Sequence, residues 1–277
     1  MIGAIIGDIV GSRFEFVEED DRDKNFIFFG GGCRPTDDSF MTLAVAKALI
    51  LAKGDKEQLK KVVVFCMKSV AQDHPKTGWG GRFYRWLFED PLSRPYNSYG
   101  NGAGMRISPV GWVADSEEEV KELSKIVTEV SHNHPEGLKG AEAIAMAVYL
   151  ARIGKSKQEI RARMQEYYPQ LGDENFKIVN IYGHYGYDVH GAWVTCQGSI
   201  PQALAAFLDS TDFEDAIRNA VWIGGDSDTI GAMAGSIAEA YYGVDKDLEE
   251  KALEYLSDDL KGIYFAFSGI KKPRTPR

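Results

Sequence analysis

The segment GGDSDTIGAMAGSIAEAYYG, residues 224–243, decides how this chain is read. Two glycines lead into Asp226 and Asp228, two aspartates one residue apart. A run of alanine, glycine, serine and isoleucine follows, with apolar positions three and four apart, the repeat of a helix. Gly231, Ala232, Ala234, Gly235 and Ala238 carry little bulk, so this helix can pack closely against a neighbour. Gly224 and Gly225 let the backbone turn tightly ahead of it. The chain therefore carries two carboxylates to the start of a helix built to enter a core.

A second stretch, RPTDDSFMTLAVAKALI at residues 34–50, has the same design. Thr36, Asp37, Asp38 and Ser39 stand directly before Phe40, Met41, Leu43, Ala44 and Val45. Helix capping is the plain reading, since Ser, Thr and Asp satisfy first-turn amides and acids suit the helix dipole. One cap needs one such residue, however, and each start crowds a hydroxyl with two carboxylates. Like charges that close repel, and burying them unpaired is costly. Arg34 is the only base nearby, and only at the first cluster. A bound cation accounts for both. Thr36, Asp37, Asp38, Asp226, Asp228 and Thr229 are all hard oxygen donors, which suit magnesium, manganese or calcium over zinc. Four carboxylates exceed what one magnesium usually takes from protein, so two divalent cations are expected.

A third segment, IGAIIGDIVGS at residues 2–12, spaces Gly3, Gly7 and Gly11 four apart, on one helix face. Two small-residue helices meeting in the centre would bring their acidic ends to one rim. Elsewhere the apolar spacing predicts helices over 40–52, 58–71, 116–130, 137–152, 156–168, 201–208, 212–222, 229–242 and 246–260. Pro201 reads as a first helical residue. Residues 23–33 suggest a short extended piece. Two long aromatic, glycine-rich loops, 75–104 and 172–200, read as ordered and functional. No linker divides the chain, so the expectation is an all-α, single compact multi-helix domain over 1–270. The basic tail KKPRTPR, 271–277, is expected to fray.

Composition narrows the function. With 277 residues, 44% of them apolar, a large core is available. No apolar run reaches the roughly 20 residues that a membrane span needs. MIGAIIGDIVG lacks a basic leader and carries Asp8, against a signal peptide. Three scattered cysteines, with no C-x-x-C pair, suggest neither disulfides nor zinc and fit a reducing cytoplasm. A net charge of -9 argues against nucleic-acid binding. Nothing indicates an oligomer, and a monomer is expected.

The pieces GAIIGDIVGSRFEF (3–16), PTDDSFMTLAVAKAL (35–49), GNGAGMRISPVG (100–111), SHNHPEGLKGAEAIAMAVYLA (131–151), CQGSIPQALAAF (196–207) and the opening segment occur in one order. Together they resemble the ADP-ribosylglycohydrolase family, which includes the dinitrogenase reductase-activating glycohydrolase. The resemblance implies an all-α fold, a binuclear magnesium or manganese centre, and hydrolysis of the glycosidic bond at the anomeric carbon of ADP-ribose. The substrate would be an ADP-ribosylated protein or a small ADP-ribose derivative. Thr36, Asp37, Asp38, Asp226, Asp228 and Thr229 match the metal-binding positions. Glu15 matches a glutamate implicated in catalysis or gating, and either Glu15 or Asp38 would serve the attacking water. Asn101, Gly102, Ala103 and Met105 match the loop around ribose and diphosphate. His132 and His134 match the histidine element of the ADP-ribose cleft. Ile230 and Gly231 stand where many relatives read Asn and Ala, leaving the ligands intact.

Some readings stay open at this level. Gly100, Gly102 and Gly104 could form an amide nest for phosphate. Arg106 could pair with phosphate or tie its loop down. A histidine before Pro135 could simply cap a helix. Trp79, with Gly80 and Gly81, could shape a cleft wall or pack in the core. Tyr182, Tyr185 and Tyr187 are candidates to stack on adenine. Loop 172–193 matches no specificity loop, so the acceptor is undetermined. Two rival classes remain. One is a non-catalytic ADP-ribose-binding or structural protein of the same fold. The other is an all-α magnesium-dependent diphosphate enzyme, although the D-D-x-x-D pattern those enzymes need is broken after Asp38.

Overall fold

The computed structural model describes residues 1–17, 23–173, 176–180 and 193–275. These are helical, as expected; among them no strand forms, and Gly100 and Thr195 make an isolated antiparallel bridge. The order is α1 (Ile2–Gly11), α2 (Asp37–Ala52), α3 (Lys56–Asp73), α4 (Gly81–Phe88), α5 (Gly102–Met105), α6 (Ser108–Val113), α7 (Glu117–Thr128), α8 (Pro135–Arg152) and α9 (Lys157–Met164). A 3-10 turn (Pro169–Gly172) precedes α10 (Cys196–Leu208), α11 (Phe213–Ile223), α12 (Ser227–Tyr242), α13 (Lys246–Leu253) and α14 (Asp258–Ser268).

The central pair is α1 and α12. Every residue of α1 is buried, as a helix apolar on all sides must be. The two run antiparallel, with Gly3 against Gly235, Gly7 against Gly231 and Gly11 against Ser227. A Cβ on Gly7 would lie 2.0 Å from the Gly231 carbonyl oxygen. No side chain fits there, and that contact fixes how deeply α12 sits. The antiparallel order sets the C-terminal end of α1 beside the N-terminal end of α12, the acidic end. α2, α8, α10 and α11 pack around this pair.

Local chemistry sets most helix starts. Asp55 caps α3 through the amides of Glu57 and Gln58, Ser116 caps α7, and Ser156 with Glu159 forms a capping box on α9. Five expectations need correction. Residues 23–33 form turns, not an extended strand. The loop at 75–104 contains α4, whose Phe83, Trp86 and Leu87 are buried. Pro201 lies inside α10, which starts five residues earlier on the Thr195 cap. The helix expected over 246–260 is two helices, α13 and α14. The tail is docked through Thr275: the Lys272 amide donates to Trp112, Lys272 pairs with Asp115, Arg274 Nη1 donates to Tyr241 and the Thr275 amide donates to Arg152. Charged ends on a basic tail find carbonyls and an acid on helices that the linear sequence does not show to be adjacent.

Candidate active site

α12 starts at Ser227, so Asp226 takes its N-cap position and Asp228 lies inside its first turn. Gly224 (φ +82°) and Gly225 (φ +65°) occupy the left-handed region just before it, the conformation that glycine tolerates. α2 starts at Asp37 on the Thr36 cap. The two helix starts meet. Thr229 Oγ1 donates to Asp38 Oδ2 over 3.2 Å, a direct bond between the acidic segments.

Carboxylate oxygens of Asp8, Asp38 and Asp228 lie within 4.8 Å of one another, and those of Glu15, Asp226 and Asp228 do the same. Asp228 belongs to both groups. Asp37 faces the same cavity. Among the described residues no lysine or arginine forms an ion pair with any of these six acids. Burial raises the affinity of each for protons, and mutual repulsion adds to it for Glu15, Asp37, Asp38 and Asp228. Asp8 is pushed up to about 6 by burial, against the pull of Ser39 and Thr36. Asp226 is raised by burial while Asn101 Nδ2 donates to it over 2.7 Å. Arg34 offsets the rise at Glu15 in part.

The donor set fits hard divalent cations. All donors are oxygens, and Asp38 Oδ1 is buried with no hydrogen-bond partner. An acceptor lone pair in that position is what a cation would use. Thr36, Asp37, Asp38, Asp226, Asp228 and Thr229 are thus gathered at one place, although Thr36 lies behind the cavity wall.

Asp8 is the site residue that the motif reading missed. It is fully buried in α1, and its carboxylate caps α2 from outside. Asp8 Oδ2 accepts from the Thr36 amide at 2.9 Å, the Ser39 amide at 3.1 Å and the Ser39 hydroxyl. Asp8 Oδ1 accepts from Thr36 Oγ1 at 2.6 Å. The Thr36 hydroxyl hydrogen is therefore spent on Asp8, while its oxygen accepts from the Asp38 amide at 3.4 Å as the α2 cap. The signal was present: an aspartate inside the wholly apolar IGAIIGDIVG needs a buried partner.

The acids line one side of a cavity of about 450 Å³. Glu15 and Phe16 form its mouth, and the Phe16 amide donates to Gly225, tying this turn to the acidic loop. Asn101, Gly102, Met105 and His132 line it as well. Ala103 does not; it is buried in the core. His134 does not either: it caps α8, its Nδ1 accepting from the Glu136 amide. The amides of Gly100 and Gly104 are taken by Ser98 Oγ and the Asn101 carbonyl, so the three-amide nest does not form. Gly78, Gly80, Gly81, Arg82, Phe83, Tyr96 and Arg106 are among its other lining residues. Trp79 packs behind them against Phe40, Phe83 and Phe88. Tyr182, Tyr185 and Tyr187 lie outside the described residues.

A larger cavity of about 830 Å³ sits elsewhere, between the start of α11 and the end of α12. Its acids include Glu214, which pairs with Arg218, and it gathers no comparable set of unpaired groups. The chemistry selects the smaller cavity.

A family model described as ADP-ribosylglycohydrolase matches residues 1–267. The human protein ADP-ribosylhydrolase ARH3 is 26% identical, over 89% of this chain and 85% of its own. The ADP-ribosyl-[dinitrogen reductase] glycohydrolase of Rhodospirillum rubrum is 28% identical, over 88% and 84%. The ADP-ribosylarginine hydrolase Tri1 of Pseudomonas putida (strain GB-1) is 26% identical, over 88% and 70%. A solved structure titled ADP-ribosylglycohydrolase-related protein complex superposes with a TM-score of 0.69 at 23% identity, covering 97% of this chain and 96% of that one.

Proposed function

The chain belongs to the ADP-ribosylglycohydrolase family, and from that premise we propose that it is a metal-dependent hydrolase cleaving the glycosidic bond at the anomeric carbon of ADP-ribose. One observation carries the reading. Five acids from three distant segments line one cavity, with Asp8 buried beside them; among the described residues none has a basic partner, and one of their oxygens is buried and unused.

The cleft carries both signs of charge: Glu15, Asp37, Asp38, Asp226 and Asp228 line it together with Arg82 and Arg106. A ligand with a cationic transition state and a diphosphate matches that combination. Thr36, Asp37, Asp38, Asp226, Asp228 and Thr229 would hold two cations, magnesium or manganese. When bound, these would lower the pKa of water and fix ribose hydroxyls in register.

The protein's own groups do the rest. Positive charge grows on the ribose ring as the bond breaks, and the fixed carboxylates stabilise it. Glu15 is half-buried and within reach of solvent, and burial with the nearby Asp226 raises its proton affinity above the usual carboxylate range. Asp38 lies deeper, and Thr229 holds one of its oxygens. Glu15 therefore orients or deprotonates the attacking water, and Asp38 anchors the site beneath it. Asn101 fixes Asp226 in place.

The substrate is an ADP-ribosylated protein or a small ADP-ribose derivative. The named relatives act on different acceptors, an arginine for one and a dinitrogen reductase for another. The acceptor therefore has to be found by assay. The test is a panel of ADP-ribosylated substrates with manganese, comparing the wild type with Asp228→Ala. The expected result is release of ADP-ribose from at least one substrate, with loss of most activity and of one metal in the variant. Wild-type turnover by Asp228→Ala would overturn the assignment. ADP-ribose binding without metal uptake or turnover would make the protein a reader.

A further inference from the structure

Arg106 is fully buried. Burial lowers its proton affinity to about 10, so it remains a cation, and among the described residues no carboxylate pairs with it. Its guanidinium carbon sits 5.3 Å from the centre of the Phe83 ring. Nη2 lies 2.8 Å from Ser131 Oγ and 3.1 Å from His132 Nδ1. Ser131 Oγ is itself 2.8 Å from the same Nδ1.

These three distances settle a proton. A guanidinium has donors and no acceptor, so His132 Nδ1 can meet Arg106 only as an acceptor. Because Arg106 donates to Ser131 Oγ, the serine hydrogen is free to point at Nδ1, which again requires Nδ1 to be bare. A neutral imidazole with Nδ1 accepting carries its hydrogen on Nε2. That nitrogen faces the cavity wall: a Cβ on Gly102 would lie 3.3 Å from it, and one on Gly100 3.7 Å. Among the described residues Nε2 makes no hydrogen bond.

We infer that Arg106 is a positioning residue: with Ser131 it locks His132 in the Nε2–H tautomer, so that the ring offers a fixed donor to an acceptor atom of the ligand beside Gly100–Gly102. The charged groups near the ring are Arg106 and Arg82. Phe83 and Tyr96 supply rings about it, and among the described residues no acid bonds to it, although Asp37 lines the same cavity. Burial first, then these two cations, hold His132 well below the usual histidine range. It stays neutral wherever the protein is folded near neutral pH, which excludes it as a proton shuttle and leaves it a donor. The tautomer stands on the geometry alone. Its use by a ligand rests on the function proposed above.

Ring-nitrogen NMR of the metal-free chain tests this, with His132→Gln to assign the signal. The expected result is a bare Nδ1 and a protonated Nε2, with no titration between about pH 6 and pH 8. Ser131→Ala keeps the tautomer, because Arg106 still donates. Ser131→Ala combined with Arg106→Met removes both donors, so the lock is released and the Nδ1–H tautomer gains population. ADP-ribose affinity should fall roughly tenfold in the double variant, the worth of one misdirected hydrogen bond, and stay within about twofold in Ser131→Ala. A protonated Nδ1 in the wild type overturns the inference, and that measurement needs no variant to fold. A wild type with the expected tautomer and no affinity for ADP-ribose would overturn the proposed function and leave the tautomer standing.

Discussion

The two ends of α12 bury carboxylates in opposite ways. At its C-terminal end Glu239 is 3% exposed, yet fully paired. It accepts from the Met1 amine, from the Gly3 amide at 2.9 Å and from Lys271 at 2.6 Å. Burial alone would raise its proton affinity, but Lys271 and the amine carry it down to about 2. At the N-terminal end Asp226 and Asp228 join four other acids with no basic partner, and every shift runs upward. Both ends pack against the same helix, α1. Paired burial closes an end and holds α1, α12 and the tail together. Unpaired burial stores repulsion that bound protons or an added metal cation relieve, and a fold keeps such an arrangement where it is used.

The largest test breaks the paired end. Glu239→Gln leaves Lys271 without its counter-charge and weakens the bonds to the Met1 amine, which burial holds down at about 5, and to the Gly3 amide; the expected loss is about 3 kcal/mol by chemical denaturation. A change under about 1 kcal/mol would mean that the pair is not formed in solution. Next comes Asp8, which holds Thr36 and Ser39 in place. Asp8→Asn should weaken manganese binding by roughly 10–100-fold, as removal of an outer partner of a metal ligand does, read by titration calorimetry. Unchanged affinity would show that the α2 start is ordered without it.

A smaller effect separates the ends by pH. At the cleft the folded state binds protons more tightly than the unfolded chain, so stability falls as pH rises through the window, from 3.8 to about 6 for Asp8. The other five acids shift the same way. Glu239 has the opposite sign: its contribution is present above 4.5 and lost as pH falls toward about 2. In chelator, the melting temperature should therefore drop between about pH 4 and pH 7, and saturating manganese should flatten or reverse the drop. A metal-independent profile would contradict a preformed cation site. The smallest expected effect is the most diagnostic in sign. Asp228→Asn removes one repelling charge, so the metal-free variant should be more stable than wild type by about 1 kcal/mol. The same substitution at Glu239 destabilises.

Much of this was legible in the chain. The glycine spacing of residues 3, 7 and 11 against 231 and 235 foretold the close central pair, because only backbone can touch backbone at that distance. Acids crowding two helix starts foretold that they meet in one buried cluster, because a single cap uses one of them. Asp8 was visible as a charge in an apolar helix, but its partners lie 28 and 31 residues away, beyond any local pattern. His132 and His134 look equivalent in sequence. The backbone turn makes one a helix cap and places the other on the cleft.

The chain by itself settled most of the long helices and which side chains must find partners, since periodicity and charge act over a few residues. The tertiary structure decided which partners they found. It left the acids at one end of α12 without bases, gave those at the other end Lys271, and set the His132 proton through Arg106. Those outcomes depend on ångström distances between segments far apart in sequence, and such distances exist only once the core has packed.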